Sequence, residues 1–436
     1  MGLLLDSAYA SALAVSSPYL LWRSIRTGRY RSGWSERLAG RVPELDRDRQ
    51  SIWLHGVSLG EVQLLVPIVE QLNVRYPQFE VVLSTSTMTG MEVACKRLPD
   101  TKVFTFPWDF SWAMQTAVRR LRPALIVLGE LEVWPHLVAT AHRDHVPVAV
   151  VNGRLSDRSF RGYQRFRRLL KPTFSKLSLV AAQNEETAFR FVQLGTSSER
   201  VSAVGSLKFD NVNADRFAPE VERLRKLVGL EDPHRVLIAG STQSPEEVTA
   251  ARAWMAVHRD HGNSKLIVVP RHPERFDAVY NELQELGLNV VRRSQLNEPI
   301  ACRDWDVLLV DTVGELRWWW GLADCALVGG SFGTRGGQNM LEPAAYGASV
   351  AFGPNTSNFR DIVRPLKKAD AVVELAQLSD IETWFRSQLE SPADGRARGL
   401  RAKQFIATQQ GATRRTLEAL DELLRRSLPH RMSHAA

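Results

Sequence analysis

Short apolar runs alternate with longer amphipathic stretches along this chain, pause, and then resume. In the first half the runs are Ser51–His55, Glu80–Ser84, Ala124–Leu128, Val146–Val151 and Leu179–Ala182, most of them bounded by Gly, Pro, Ser or Asn. Strand-length runs separated by helix-length segments predict parallel βαβ units in an open, doubly wound sheet. From about Phe209 to His234 the pattern lapses into a polar stretch with helical spacing in Val221–Leu230. It resumes with Arg235–Gly240, Lys265–Pro270, Leu288–Val291, Asp306–Val310, Cys325–Val328 and Ser349–Phe352. The expected architecture is therefore α/β, with two Rossmann-like domains at residues 36–208 and 234–436. A linker at 209–233 joins them, a segment at 1–35 precedes them, and the helical stretches Ser379–Leu389 and Thr413–Arg426 pack back near the junction. Chains of this class bind ligands in a cleft at the carboxyl ends of their strands.

Size and composition agree. The chain has 436 residues, 24% charged and 44% hydrophobic. That is enough to bury two ordinary cores, and it excludes disordered, collagen-like and polytopic membrane classes. Three scattered cysteines, Cys95, Cys302 and Cys325, form neither a disulfide framework nor a zinc motif, which implies a reducing compartment.

The net charge of +8 is unevenly spread. Arg23, Arg26, Arg29 and Arg31 follow an uncharged N-terminal tract, Ser7 to Trp22. At 16 residues with Pro18 inside, this tract spans a bilayer only if Leu3–Leu5 are drawn in past Asp6. No basic region precedes it, so it does not read as a secretory signal. Aromatics followed by arginines favour an anchor or in-plane helix on the cytoplasmic face of a membrane. A second cluster contains Arg154, Arg158, Arg161, Arg165, Arg167, Arg168, Lys171 and Lys176, with Asp157 its only acid. Phe160, Tyr163 and Phe166 recur within it at a spacing that suits the buried face of one helix. No nucleic-acid motif accompanies the cluster, so an anionic surface or substrate is the better partner. A solvated helix face is the bland reading.

Eight segments at strand ends carry polar groups suited to chemistry. Trp53–Glu61 places Ser58 and Glu61 at the spacing of a capping box and also at the mouth of a cleft. Gly129–Pro135 holds two carboxylates, Glu130 and Glu132, which diverge in a helical turn or cap the next helix. Asn152–Ser156 reads as an Asn-Gly turn, and Gly205–Asp210 carries Lys208 at the junction. Gly240–Glu247 offers a phosphate approach at Gly240 and Ser241, with Ser244, Pro245 and Glu247 as a helix start. Arg271 in Pro270–Phe276 provides a fork for phosphate, or an ion pair with Glu274. Asp311–Leu316 alone reads as a turn. The five glycines of Val328–Pro343 suggest an anion cradle leading to a helix that starts near Glu342.

In order, these segments resemble the Kdo transferases, which move 3-deoxy-D-manno-oct-2-ulosonic acid in lipopolysaccharide assembly and have the two-domain GT-B fold. The likeness runs from about Ser51 to Ile362, with departures at Leu131, Gly153 and Gln338. It implies that Glu61 is the general base and that Glu130 and Lys208 stabilise the transition state. It implies a CMP site made by Arg271, His272, Val313, Gly314, Glu315, Asn339, Met340, Leu341 and Glu342. The reaction implied is inverting transfer of Kdo from CMP-Kdo to lipid A or its precursor, lipid IVA, at the cytoplasmic face of the inner membrane. CMP-Kdo is a co-substrate, and no cofactor or obligatory metal is expected. Arg161, Arg165, Arg167 and Arg168 then face the anionic acceptor and membrane. Another GT-B nucleotide-sugar transferase or epimerase would share the second-half cradle but not Trp53–Glu61. A non-catalytic membrane-bound nucleotide-binding protein would not need Glu61, Glu130 and Lys208 together.

Overall fold

The computed structural model describes residues 5–15, 17, 34–46, 48–212, 214–231 and 234–432. The chain divides into two units, Met1–Asn211 with Gln410–Ala436, and Val212–Gln409.

The first unit is built on seven parallel strands: β1 (Ser51–His55), β2 (Glu80–Thr85), β3 (Lys102–Thr105), β4 (Pro123–Gly129), β5 (Val148–Gly153), β6 (Leu179–Ala182) and β7 (Val201–Ala203). Their order is β3-β2-β1-β4-β5-β6-β7, so the winding reverses between β1 and β4. Side chains alternate across a strand, and here both faces are apolar. Trp53, Val82, Ile126 and Leu128 pack under the helices Ser111–Leu121 and Pro135–Arg143. Ile52, Leu54, Val81, Leu83, Leu125 and Val127 pack under the helix Leu59–Arg75 and under Leu417, Leu420 and Leu424 of the last helix, Ala412–Met432. That last helix starts on Asp210, whose carboxylate accepts the N–H groups of Gly411 and Thr413. Sequence Asp210 thus acts as a helix cap.

The second unit has β8 (Arg235–Thr242), β9 (Ser264–Pro270), β10 (Val290–Arg292), β11 (Val307–Leu309), β12 (Cys325–Val328), β13 (Ser349–Phe352) and β14 (Val372–Glu374). They are again all parallel, in the order β10-β11-β9-β8-β12-β13-β14, with the reversal between β8 and β12. The helix Asp380–Glu390 adds Ile381, Trp384 and Phe385 to the core of this unit. Residues from Val212 onward are folded into it. The Arg216 guanidinium donates to the carbonyls of Tyr346, Gly321 and Ala323, and Val221 is buried at the start of the helix Pro219–Leu227.

Three strands have no counterpart among the apolar runs read from the sequence: β3, β7 and β14. All three lie at sheet edges and are only partly buried, whereas β1, β4 and β5 are buried throughout. An edge strand has solvent along one side and does not need a continuous apolar run.

Residues 5–15 are helical. Asp6, the charge that interrupts the N-terminal apolar tract, is 7% exposed. Its carboxylate accepts the Ser111 N–H at 2.9 Å and the Ser111 hydroxyl at 2.6 Å, at the start of the helix Ser111–Leu121. Pro18, Tyr19, Trp22 and the arginines at 23, 26, 29 and 31 lie outside the described residues. Among the described residues, no helix is long and apolar enough to cross a membrane.

Candidate functional site

In the first unit, the loops after β1 and β4 meet at the point where the winding reverses. Ser58 caps the helix Leu59–Arg75 by accepting the Glu61 N–H, and the Glu61 carboxylate reaches back. One Glu61 oxygen accepts the Val57 N–H and the other the Ser58 hydroxyl, each at 2.9 Å. This is a variant of the capping box, in which the glutamate reaches the N–H of the residue before the cap and the cap's own hydroxyl. The same bonds fix the carboxylate at the carboxyl edge of the sheet. Gly129, at the end of β4, faces it: a Cβ there would lie 3.6 Å from Glu61 Oε2 and 3.2 Å from the His55 carbonyl.

The chain then curls sharply. Glu130 adopts a left-handed conformation, φ 50°, which is uncommon for a residue with a side chain and carries strain. Its N–H donates to the Val151 carbonyl of β5 at 3.0 Å, and the Glu132 N–H donates to the Gly129 carbonyl at 3.2 Å. The following helix, Pro135–Arg143, is not capped by either glutamate. Its first N–H groups, His136 and Leu137, donate to the buried carboxylate of Asp109 at 2.9 and 2.8 Å. Burial pushes Glu132 up to about 7, with Glu61 and then Glu130 also raising it and Trp134 opposing.

The short helix Leu207–Asp210, which carries Lys208, is tied to β5 through Asn152. Asn152 is not part of an exposed Asn-Gly turn. It sits inside β5, 2% exposed, with φ 52°. Its side-chain oxygen accepts the Leu207 N–H at 3.1 Å, and its carbonyl accepts from Gln183. Consecutive residues of β5, Val151 and Asn152, thus hold the Glu130 turn and the start of the helix Leu207–Asp210. Spacing alone gave no means to separate this buried Asn152 from a turn residue.

The basic cluster lies on the helices Asp157–Arg165 and Arg167–Phe174. Phe160 and Tyr163 pack on the core as the spacing predicts. Phe166 does not: the first helix ends there, and Phe166 is 64% exposed, with Leu169 at 55%. Arg161, Arg165, Arg167 and Arg168 are exposed, and Arg167 Nε donates to the Gln193 carbonyl at 2.6 Å. A groove of about 1800 Å³ opens at the opposite, amino-terminal edge of the sheet. Two of the arginines that line it are occupied by backbone carbonyls, Arg122 by Leu45 and Arg200 by Leu177.

The second unit corrects the expected cradle. The Glu246 carboxylate, 3% exposed, accepts the N–H groups of Gln243, Gly330, Ser331 and Phe332 at 2.8, 2.8, 3.3 and 3.4 Å. These donors of the glycine-rich loop are already bound to a protein anion. A Cβ on Gly329 would come within 2.5 Å of Glu246 Oε2, and one on Gly240 within 2.5 Å of the Trp320 ring. Those glycines make room for protein groups. Ser244 does not cap the helix Glu246–His258; Pro245 occupies that position.

The remaining expected residues lie at the same carboxyl edge of this sheet. Arg271 follows β9 and is exposed, its N–H donating to the Thr242 carbonyl at 3.0 Å. His272, rather than Arg271, approaches Glu274, at 3.6 Å. After β11, Val313 is 78% exposed, Gly314 has φ 92°, and Glu315 accepts from Thr312 at 2.6 Å and Arg293 at 2.8 Å. After β12, Asn339 donates to Glu342 at 3.0 Å and accepts the Leu341 N–H at 3.1 Å. Met340 and Leu341 are buried, which leaves Asn339 and Glu342 as the polar groups of that segment. Burial pushes the Glu342 carboxyl up, while Asn339 and Arg317 pull it down. Among the described residues, no three His, Cys, Asp or Glu side chains are arranged to hold a metal ion.

Residues 32–211 match the family described as 3-deoxy-D-manno-octulosonic-acid transferase (kdotransferase). The chain is 31% identical over 427 residues to the 3-deoxy-D-manno-octulosonic acid transferase of Haemophilus influenzae, covering 96% of this chain and 99% of that one. It is 34% identical over 385 residues to the protein of the same name from Bordetella pertussis, covering 86% and 87%. Among solved structures, a UDP-GlcNAc 2-epimerase from Neisseria meningitidis superposes with a TM-score of 0.56 at 12% identity, over 86% of this chain and all of that one. At that identity the likeness concerns the fold, a GT-B-like pair of parallel-sheet domains.

Proposed function

The chain belongs to the 3-deoxy-D-manno-octulosonic acid transferase family, and from that premise we propose that it transfers Kdo from CMP-Kdo to lipid A or its precursor, with inversion. The observation that carries the reading is the fixed Glu61 carboxylate beside the strained Glu130 turn, at the reversal between β1 and β4.

The acceptor hydroxyl attacks the anomeric carbon as its proton passes to Glu61. The new C–O bond forms while the bond from that carbon to the CMP phosphate breaks, and CMP leaves with the electron pair. Positive charge develops on the sugar, so a carboxylate at Glu130 stabilises it, and Lys208 offsets charge on the departing phosphate. Arg271 offers a planar fork to that phosphate. The Glu342 carboxylate, braced by Asn339, accepts from the ribose hydroxyls. CMP carries one phosphate, and side-chain cations suffice for it in this reading, so turnover proceeds without a metal. The basic helices with exposed Phe166 and Leu169, and the N-terminal segment, hold the enzyme to the cytoplasmic face of an anionic membrane where the lipid acceptor lies.

The test is to incubate the purified protein with CMP-Kdo and a lipid A precursor, with and without EDTA, and to weigh the lipid product. A product heavier by one or more Kdo units in both arms supports the reading. No lipid product, or hydrolysis of CMP-Kdo alone, defeats it.

A further inference from the structure

We propose that the N-terminal helix, residues 5–15, is a working part of the transferase site: Asp6 and Tyr9 set the start of the helix Pro135–Arg143 and with it the turn that carries Glu130. The inference rests on the transferase reading and gives this helix a positioning task separate from membrane attachment.

Two helices of the first unit begin on residues that cannot cap them. Phe110 precedes the helix Ser111–Leu121 and Trp134 precedes the helix Pro135–Arg143, and neither side chain accepts a backbone N–H. A helix start leaves N–H groups without partners inside the helix, so acceptors come from elsewhere. Here both come from aspartates outside the helices they serve. The Asp6 carboxylate accepts the Ser111 N–H and hydroxyl, and the Asp109 carboxylate accepts the His136 and Leu137 N–H groups. The two caps are joined. Asp109 lies two residues before Ser111, so the bonds that hold Ser111 also hold the segment that aims Asp109. Tyr9, three residues after Asp6 and on the same helix face, adds a second tie. Its hydroxyl donates to Asp109 Oδ2 at 3.4 Å, and its ring meets Phe110 and His136 edge-on, each with centroids 6.0 Å apart. Asp6 Oδ1 also lies 3.2 Å from His136 Nε2.

The relay ends at the Glu130 turn. Residues 129–134 are bonded to β5 near one end, where the Glu130 N–H donates to the Val151 carbonyl, and run at the other directly into the helix that Asp109 caps. Glu130 keeps its left-handed backbone, φ 50°, between these two attachments. A strained residue holds such a conformation only while its surroundings over-determine it. Loosening the bonds of the His136 and Leu137 N–H groups frees one end of the turn and displaces Glu130 from the reacting sugar. Asp6 and Tyr9 are thus positioning residues, acting through Asp109 and the helix start.

The test measures kcat and KM with a lipid A precursor dispersed in detergent micelles, where attachment to a bilayer does not limit turnover. Asp6→Ala is expected to lower kcat by roughly 10- to 100-fold, the effect of a misplacement of about 1 Å at a reacting group, with KM for CMP-Kdo nearly unchanged. Asp6→Asn keeps an oxygen for the Ser111 N–H and is expected to retain most of the parent rate. Hydrogen exchange gives the second readout: the His136 and Leu137 amides should exchange roughly tenfold faster in Asp6→Ala than in the parent. Parent-like kcat for Asp6→Ala in detergent confines the helix to attachment and overturns the proposal. Unchanged exchange at His136 and Leu137 overturns it equally, as does an Asp6→Asn variant as slow as Asp6→Ala. If circular dichroism shows that Asp6→Ala does not fold, Tyr9→Phe, which removes a single hydroxyl, carries the exchange test, and parent-like exchange in that variant is the defeating result. Failure of the transferase reading itself shows separately, as absence of Kdo-bearing product in the parent, and leaves the exchange result standing.

Discussion

The Glu246 carboxylate accepts the Gly330 N–H at 2.8 Å, tying the first turn of one helix to the glycine-rich loop that follows β12. Together with Gln243, Ser331 and Phe332, this makes an anion nest whose anion belongs to the protein. Glu246→Ala leaves buried N–H groups without an acceptor. The expected loss of stability is of order 3 kcal/mol, from an unsatisfied-donor cost of about 1–3 kcal/mol per group that does not add fully. Urea unfolding checks it. If the loop's donors instead serve a bound nucleotide, Glu246→Ala will leave unfolding unchanged and raise CMP affinity.

Glu61 performs two tasks that Glu61→Gln separates. The amide oxygen keeps the acceptor for the Val57 N–H, and the amide NH2 takes the other position, where it donates to the Ser58 oxygen, so the helix start survives and stability falls by about 1 kcal/mol. It cannot accept a proton as a base. Turnover should fall by roughly 10²–10⁴-fold with CMP affinity preserved. Turnover close to that of the parent would return Glu61 to capping alone.

Asn152 and Lys208 should fail together. Lys208→Ala removes the charge, while Asn152→Ala removes the oxygen that accepts the Leu207 N–H and frees the helical turn that carries the charge. Both are expected to lower kcat more than CMP affinity, and the double variant should be little worse than the poorer single one. Additive losses would mean that Asn152 does not act through Lys208.

The alternation of apolar runs revealed both sheets because their central strands are buried on two faces and must be apolar throughout. Edge strands β3, β7 and β14 escaped that logic. Motif order along the chain brought Glu61, Glu130 and Lys208 to attention, and the sheet order explains why Glu61 and Glu130 meet. Asn152 was hidden because Asn-Gly in a sequence means a turn far more often than a strained residue inside a strand. The glycine-rich loop was misread for a related reason. Five glycines signal close backbone approach, but the sequence does not say whether a phosphate or a buried glutamate such as Glu246 makes that approach.

His55 provides a pH test of the first unit. Its ring is fully buried, stacked on Phe106 at 3.9 Å, with Nδ1 3.1 Å from the Ser84 carbonyl. Burial holds its pKa down to about 3, against an opposing backbone bond from Ser84. A folded pKa below the unfolded value of about 6.5 means that the unfolded chain binds the proton better. The stabilisation is therefore complete above pH 6.5 and is lost as the pH falls toward 3. By pH 5 the loss is about 2 kcal/mol. Urea unfolding at pH 7 and pH 5 should show that difference shrinking by this amount in His55→Phe, whatever the variant's absolute stability. An unchanged difference would mean that the ring is not held neutral by burial.

The basic helices offer the last test. Arg161, Arg165 and Arg168 are exposed, while Arg167 also holds the Gln193 carbonyl and is best left in place. Phe166 and Leu169 stand exposed among them, an arrangement that suits an interface where apolar side chains insert and arginines meet lipid phosphates. Each arginine near an anionic surface contributes about 1 kcal/mol, and salt weakens the attraction. Replacing Arg161, Arg165 and Arg168 with Ser should therefore weaken binding to phosphatidylglycerol-containing liposomes at low salt by at least tenfold. It should raise KM for the lipid acceptor while leaving KM for CMP-Kdo nearly unchanged. Phe166→Ser should weaken binding at high salt as well, because an inserted ring is not screened by ions. If the triple variant sediments with liposomes and handles the acceptor as the parent does, these arginines form a solvated helix face, and attachment belongs to another part of the chain.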